Sequence, residues 1–248
     1  MTYAAEPRGE RGHQIILRLV AAALALAFSL LGVWQIERLG WKTDLIARVD
    51  SRVHAPAAPA PSPARWTDLS RAEDEYRHIV VHGVFEHDKE TLVQAVTEFG
   101  PGYWVMTPLR TDAGFEVLVN RGFTPADLKT PAARYAGEVS GPVAVTGLLR
   151  ISEPGGGFLR ANRPANSLWY SRDVAAIAAD KHLTTPAPYF VDADATPNPG
   201  GWPRGGLTVV RFRNDHLAYA LTWFGLALLA AGFALLPGLA PRRLGTGD

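Results

Sequence analysis

The sequence predicts a membrane protein in which two transmembrane helices flank a β-rich α+β extramembrane domain. Three observations lead there. Two apolar runs of 20 residues, 15–34 and 217–236, stand near opposite ends of a 248-residue chain, and each is about the length needed to cross a hydrocarbon core roughly 30 Å thick. The stretch between them carries several short runs of β-branched and aromatic residues, the mark of strands. The chain holds 24 Gly and 19 Pro, which suit many turns and little helix.

The first run reads IILRLVAAALALAFSLLGVW. Its one charge, Arg18, lies near the amino-terminal end, where an apolar stem can stay in lipid while the guanidinium reaches the headgroups. A cleaved signal peptide is the alternative, since basic residues precede the run. Its apolar stretch exceeds the usual core of about 7–15 residues, and it leads into the bulky, charged VWQIERLGWK rather than a small-residue cleavage site. The second run, LAYALTWFGLALLAAGFALL, carries no charge and stops at Pro237-Gly238, after which Arg242 and Arg243 anchor the tail at an interface. Gly225 and Gly232, seven apart, are expected to offer close-packing surface, so that the two spans touch.

Two spans place both termini on one side of the membrane. Charge does not select the side: Arg38, Lys42, Arg48 and Arg52 follow the first span, while Arg8 and Arg11 precede it. Formal net charge is +1 with 20% charged residues, a balance without the basic field a nucleic-acid partner requires. There is no cysteine, which removes disulfides, thiolate metal sites and cysteine nucleophiles and fits an oxidising or a reducing compartment equally.

The expected order is an N-terminal tail (1–14), the first span (15–35), a juxtamembrane segment and Pro/Ala spacer (36–65), the β-rich extracytoplasmic domain (66–213), the second span (214–236) and a C-terminal tail (237–248). The spacer rests on HAPAAPAPSP at 54–63, whose proline density favours an extended, polyproline-like conformer. Strands are expected at 76–85, 91–95, 103–109, 115–120, 143–149 and 189–191, with a hairpin at Asp112-Ala113-Gly114 and with Gly83 marking a bulge or a close approach. One helix is expected over 173–181, capped by Asp173, with Val174, Ile177 and Ala178 as its apolar stripe. No repeat at a fixed period is present.

Several blocks resemble a known family. They are LGVWQ at 31–35 with Arg38 and Trp41-Lys42; Tyr76, Val81 and Gly83-Val84-Phe85; GYWVMTPL at 102–109; VLVNRGFTP at 117–125; Gly147; NSLWY at 166–170 with Asp173 and Ile177-Ala178; and NDHLAYALTWF at 214–224. In this order, with paired spans, they resemble the Surfeit locus family of cytochrome c oxidase assembly factors, over nearly all of the chain after Ile15. Phe123 stands where the family pattern often has Trp, and it keeps an aromatic side chain there.

The resemblance implies a membrane-bound chaperone without catalytic turnover, which binds haem a transiently and helps it reach the core subunit of a haem-copper oxidase. The core subunit, haem a synthase and the lipid bilayer are the implied partners, with no nucleic acid. For a bacterial member it implies the inner (cell) membrane, both termini cytoplasmic and the central domain periplasmic.

The haem iron ligand is expected at His216, one residue before the second apolar run, where neutral imidazole can donate a nitrogen. On spacing alone Asn214-Asp215-His216 reads more readily as a helix cap with an interfacial polar residue, and the resemblance favours the ligand. His216, Tyr219, Ala220 and Trp223 recur at three and four residues and so share a helix face, which can meet a porphyrin or another helix. Trp34, Gln35 and Arg38, at the exit of the first span, are expected at the same membrane surface: Trp34 flanking the ring, Gln35 or Arg38 meeting its polar groups, Arg38 or Lys42 pairing with propionates. Ordinary interfacial anchoring explains Trp34 as readily and Lys42 more readily. Arg121 is a further candidate for the haem edge or for the oxidase, against a reading in which it bonds backbone carbonyls and holds a loop.

The other histidines lack metal-ligand spacing, and Glu86-His87-Asp88 offers at most a weak surface metal site. Neither a nucleotide loop nor a catalytic triad motif occurs. A structural chaperone without haem, and a membrane redox enzyme, are the competing classes.

Overall fold

The computed structural model describes residues 8–157, 159–210 and 212–235. Within the expected tails, residues 1–7 and the whole of 237–248, with Arg242 and Arg243, lie outside the described residues, as does Leu236. The chain forms two compact units, one of Met1–Ala47 with Arg211–Asp248, the other Arg48–Val210.

Helix α1 runs Arg8–Val53, about 69 Å at 1.5 Å per residue, well past the apolar run. Residues 36–53 continue it because IERLGWKTDLIARVDSRV is rich in good helix formers, holds no proline, and brings an apolar residue round every three or four positions. Pro56 follows shortly after its end.

The remainder of the expected spacer is tied down. Strand β1, Ala58–Pro59, pairs in parallel with Ile79 and Val80, and Ala60 N–H donates to Val80 O at 3.0 Å. Pro61 O accepts from Trp66 Nε1 at 3.1 Å and from the buried Tyr189 hydroxyl at 2.9 Å. An extended Pro/Ala segment leaves its carbonyls unpaired, and these are what the domain grips.

A short helix α2, Arg71–Asp74, precedes strands β2 (His78–Phe85), β3 (Thr91–Thr97), β4 (Gly100–Thr111), β5 (Glu116–Pro125), β6 (Pro142–Ile151) and β7 (Pro186–Ala193), with α3 (Val174–Asp180) between the last two. The sheet order is β1-β2-β6-β7-β5-β4-β3, and β2 also pairs with β4, which closes five strands into a barrel. Closure occurs at Gly83↔Thr111 and Phe85↔Leu109. Any Cβ on Gly83 would stand 2.2 Å from Arg110 O, so only glycine permits this strand approach.

Alternation along the strands builds two cores. Ile79, Val81, Leu109, Val117, Val119, Tyr189 and Val191 fill the barrel. Leu118 and Phe190 face the other way and pack with Met106, Trp169, Val174 and Ile177 beneath α3. The parallel β5–β7 pair is therefore covered on both faces, which accounts for its near-continuous apolar runs. Asp173 caps α3 by accepting from Ala176 N–H at 3.1 Å.

The last described element is α4, His216–Leu235. Two helices near the chain ends are thus long and apolar enough to cross a membrane, and little of either is buried. Leu19, Leu26, Leu30, Leu221, Leu228 and Leu229 stand exposed on them, as lipid-facing side chains do. The protein has two transmembrane helices flanking, in chain order, a β-rich extramembrane domain.

Candidate functional site

The unit formed by α1 and α4 is held along a seam with a repeat of seven. On α1 the covered positions include Ala21, Ala25, Phe28, Gly32, Gln35 and Leu39; on α4 they include His216, Ala220, Trp223, Ala227, Ala230 and Ala234, with Ser29, Phe224, Ala231 and Gly232 partly covered beside them. Steps of four and three on both helices are the spacing of a left-handed antiparallel pair. Small residues bring the backbones together where there is no water to expel.

Three contacts fix the register. Phe28 and Trp223 stack with centroids 5.6 Å apart. Gly32 lies against the Phe224 ring, where an added Cβ would stand 2.6 Å from it. At the end of the seam His216 Nδ1 and Gln35 Oε1 are 2.7 Å apart. The close contact falls at Gly32 and not at the expected Gly225 and Gly232, which have nothing within 4 Å of an added Cβ.

His216 thus sits in the first turn of α4, half-buried, with one ring nitrogen engaged by a buried amide. Among the described residues Nε2 has no protein partner. The Asn-Asp-His cluster opens the helix: Asp215 O accepts from Tyr219 N–H at 3.2 Å, the Asp215 carboxylate pairs with Arg213, and Asn214 Oδ1 is a buried acceptor without a partner among the described residues. An imidazole fixed through Nδ1 and open at Nε2 has the arrangement of a metal-ligating histidine.

The other expected residues divide. Trp34 and Tyr219 are 52% and 54% exposed, so their rings stand outside the seam. Arg38 lies over Trp41, 4.2 Å from the ring centroid, and Lys42 over Phe212 at 5.3 Å. Trp223 is occupied by Phe28.

Arg121 belongs to the other unit. It is 2% exposed and gives its guanidinium to Gly137 O and to Asn198 Oδ1, with the Phe85 ring 5.0 Å away. These oxygens are neutral, and burial pushes the guanidinium down to about 10. Its geometry is that of a residue bracing loops. Glu86-His87-Asp88 is likewise committed, since Glu86 pairs with Lys89 and Arg110 and His87 Nε2 lies 2.9 Å from Val139 O. Among the described residues no group of three His, Asp or Glu is placed to hold a metal ion.

Sequence reasoning missed the barrel's main polar feature. Asp192 accepts from Arg150 at 2.6 Å, Arg172 at 3.0 Å, Asn120 at 2.8 Å and Thr208 at 2.9 Å. Arg150 also reaches Glu75 at 2.8 Å, and Arg172 reaches Glu153 at 2.6 Å. No spacing signals it, because its members come from separate strands and loops.

Comparison with known proteins places these features in a family. The SURF1 family model matches residues 22–228, from the first apolar run through most of α4. The chain is 39% identical over 218 residues to Surfeit locus protein 1 of Rattus norvegicus, covering 82% of this chain and 69% of the relative. It is 37% identical over 214 residues to the Homo sapiens protein of the same name, covering 79% and 69%. A SURF1-like protein of Monosiga brevicollis is 38% identical over 213 residues, covering 80% and 78%. These relatives are eukaryotic proteins, which overturns the expectation of a bacterial inner membrane with a periplasmic domain. By its matched span and its identity to these relatives, the chain belongs to the SURF1 family.

Proposed function

We propose that this chain is a cytochrome c oxidase assembly factor that holds haem a through His216 and passes it to the oxidase core subunit. Membership of the SURF1 family supports the broad part, an assembly chaperone engaged with the oxidase assembly machinery and without turnover of its own. The finer part, haem a at His216, rests on one observation: His216 Nδ1 is held at 2.7 Å by Gln35, which leaves Nε2 for the iron.

The remaining roles follow from position. Trp34 and Tyr219, exposed beside Gln35 and His216, offer faces to the porphyrin. Arg38 offers a cation to a propionate at the cost of its contact with Trp41. Trp223 sets the helix register from within the seam. Arg121 takes no part, because its guanidinium is used inside the barrel. Haem is cargo here, and the iron's one demand on the protein is an axial nitrogen. Retention must be moderate, since every 1.4 kcal/mol is roughly tenfold in affinity and an over-tight site would not release. The core subunit is the acceptor in this reading and haem a synthase the donor.

The test is the visible spectrum of protein purified in mild detergent from cells that make haem a, beside His216→Ala at matched yield. A haem a spectrum in the parent and its loss in the variant are expected. A haem-free parent would instead favour a chaperone that holds an oxidase subunit without touching haem.

A further inference from the structure

Gln35 is a polar side chain in a seam of Ala, Phe, Gly and Leu, and it is only 8% exposed. A buried amide in such a place costs free energy unless it is bonded, and the bond it makes is to the one side chain at the end of the seam that can ligate a metal. Its oxygen faces His216 Nδ1 at 2.7 Å. An amide oxygen only accepts, so in this orientation of the amide Nδ1 carries the proton. Neutral imidazole has one N–H, and the lone pair is therefore on Nε2.

We propose that Gln35 is a positioning residue that sets the tautomer of His216 and, through it, whether the ring can take haem iron. The functional meaning rests on the haem reading above, but the tautomer itself is a property of the haem-free protein. The same pair has a second arrangement. Turning the Gln35 amide over presents its NH2 to Nδ1, which then accepts; the proton leaves Nδ1 to water and another arrives at Nε2, with no net change in charge. Nε2–H cannot ligate. Retention and release are two orientations of one amide, and a partner that contacts this end of the helix pair can select between them without unfolding it. His216 is only partly buried, which gives water the access that the exchange needs.

A polar pair that only fixes helix register would predict no dependence on which atom faces the ring. Two substitutions separate the cases: Gln35→Glu keeps an acceptor, and Gln35→Met keeps the length without one. The first readout is the ring ¹⁵N shifts of His216 in haem-free, histidine-labelled protein in detergent, the signals being identified by their loss in His216→Ala. The expected result is Nδ1–H in the parent and in Gln35→Glu, and a shift toward Nε2–H in Gln35→Met. Haem a titration then gives a loss of about 10–100-fold in affinity for Gln35→Met and a lower reduction potential of the bound haem for Gln35→Glu.

An Nε2–H tautomer in the parent, which needs no variant to detect, overturns the inference, as does a Gln35→Met protein with parental shifts and affinity. Should the tautomers follow expectation while the parent takes up no haem, the haem reading falls and the tautomer assignment stands.

Discussion

The barrel and the helix pair handle buried polar groups in opposite ways. In the barrel Asp192 accepts from four side chains and the two arginines that reach it are each held by a further carboxylate. The charged members each hold two or more partners, and such a network rigidifies once its groups are satisfied. The helix pair places one amide against one imidazole and leaves the other ring nitrogen open. Permanence is a property of the first unit and an open ring nitrogen of the second. The two arrangements lie on separate units.

Breaking the barrel network should produce the largest effect. Arg150→Met leaves Glu75 short of its principal cation and Asp192 with one guanidinium instead of two, and should cost about 3–5 kcal/mol, read as a lower thermal midpoint in near-ultraviolet circular dichroism. The α1–α4 contact, followed by cross-linking between cysteines introduced on the two helices, should persist at temperatures below that midpoint; its simultaneous loss would mean that the two units are not energetically separable.

Gly32→Leu attacks the other side. The new side chain meets the Phe224 ring, and crowding of this kind costs roughly 1–3 kcal/mol. Cross-linking between α1 and α4 should fall while the barrel's midpoint is unchanged. Unaltered cross-linking would show that the seam tolerates bulk and that Gly32 does not set the approach.

A smaller effect belongs to the proline-rich segment. Tyr189→Phe removes the hydroxyl that donates to Pro61 O, a loss of about 1 kcal/mol, and amide exchange at Ala60 should quicken more than at Val119 in the barrel wall. Equal quickening would place the change in the barrel core instead.

The smallest is a pH effect at Glu86. Burial raises its pKa, but hydrogen bonds from Lys89 and Arg110 outweigh that and hold the carboxyl below its ordinary 4.5. A carboxylate whose folded value is depressed contributes stability above its unfolded value and loses it as pH falls through the folded one. Glu86→Gln should therefore lower the midpoint at pH 7, and the gap should close as pH falls from the unfolded value of about 4.3 through the lower folded one. A constant gap across that range would assign the effect to packing.

These two units were not equally legible in the sequence. Apolar length and β-branched runs revealed both spans and six of the seven strands, because each signal is local. Closure of the barrel was not readable, since the β2–β4 pairing joins distant residues, and its one local trace is Gly83. The reach of α1 to Val53 was hidden by attention to hydropathy, where helix propensity over 36–53 is the better guide. The grip on the spacer left no trace because its acceptors are backbone carbonyls. His216 stood out by its place at a span boundary, and Gln35 was expected at the same membrane surface; their mutual bond could have been sharpened by the seven-residue spacing of small residues that aligns positions 21–39 with 216–234. The bacterial setting came from analogy, and the eukaryotic relatives corrected it.

The most direct test of the division between the units is a haem a titration of the purified full chain in detergent, followed by Soret absorbance, for the parent, His216→Ala and His87→Gln. The latter replaces a barrel histidine whose ring is already committed to Val139 O. Saturable binding lost in His216→Ala and kept in His87→Gln is the predicted result. Binding that survives His216→Ala, or that falls equally in both variants, would contradict the assignment of the haem to the helix pair.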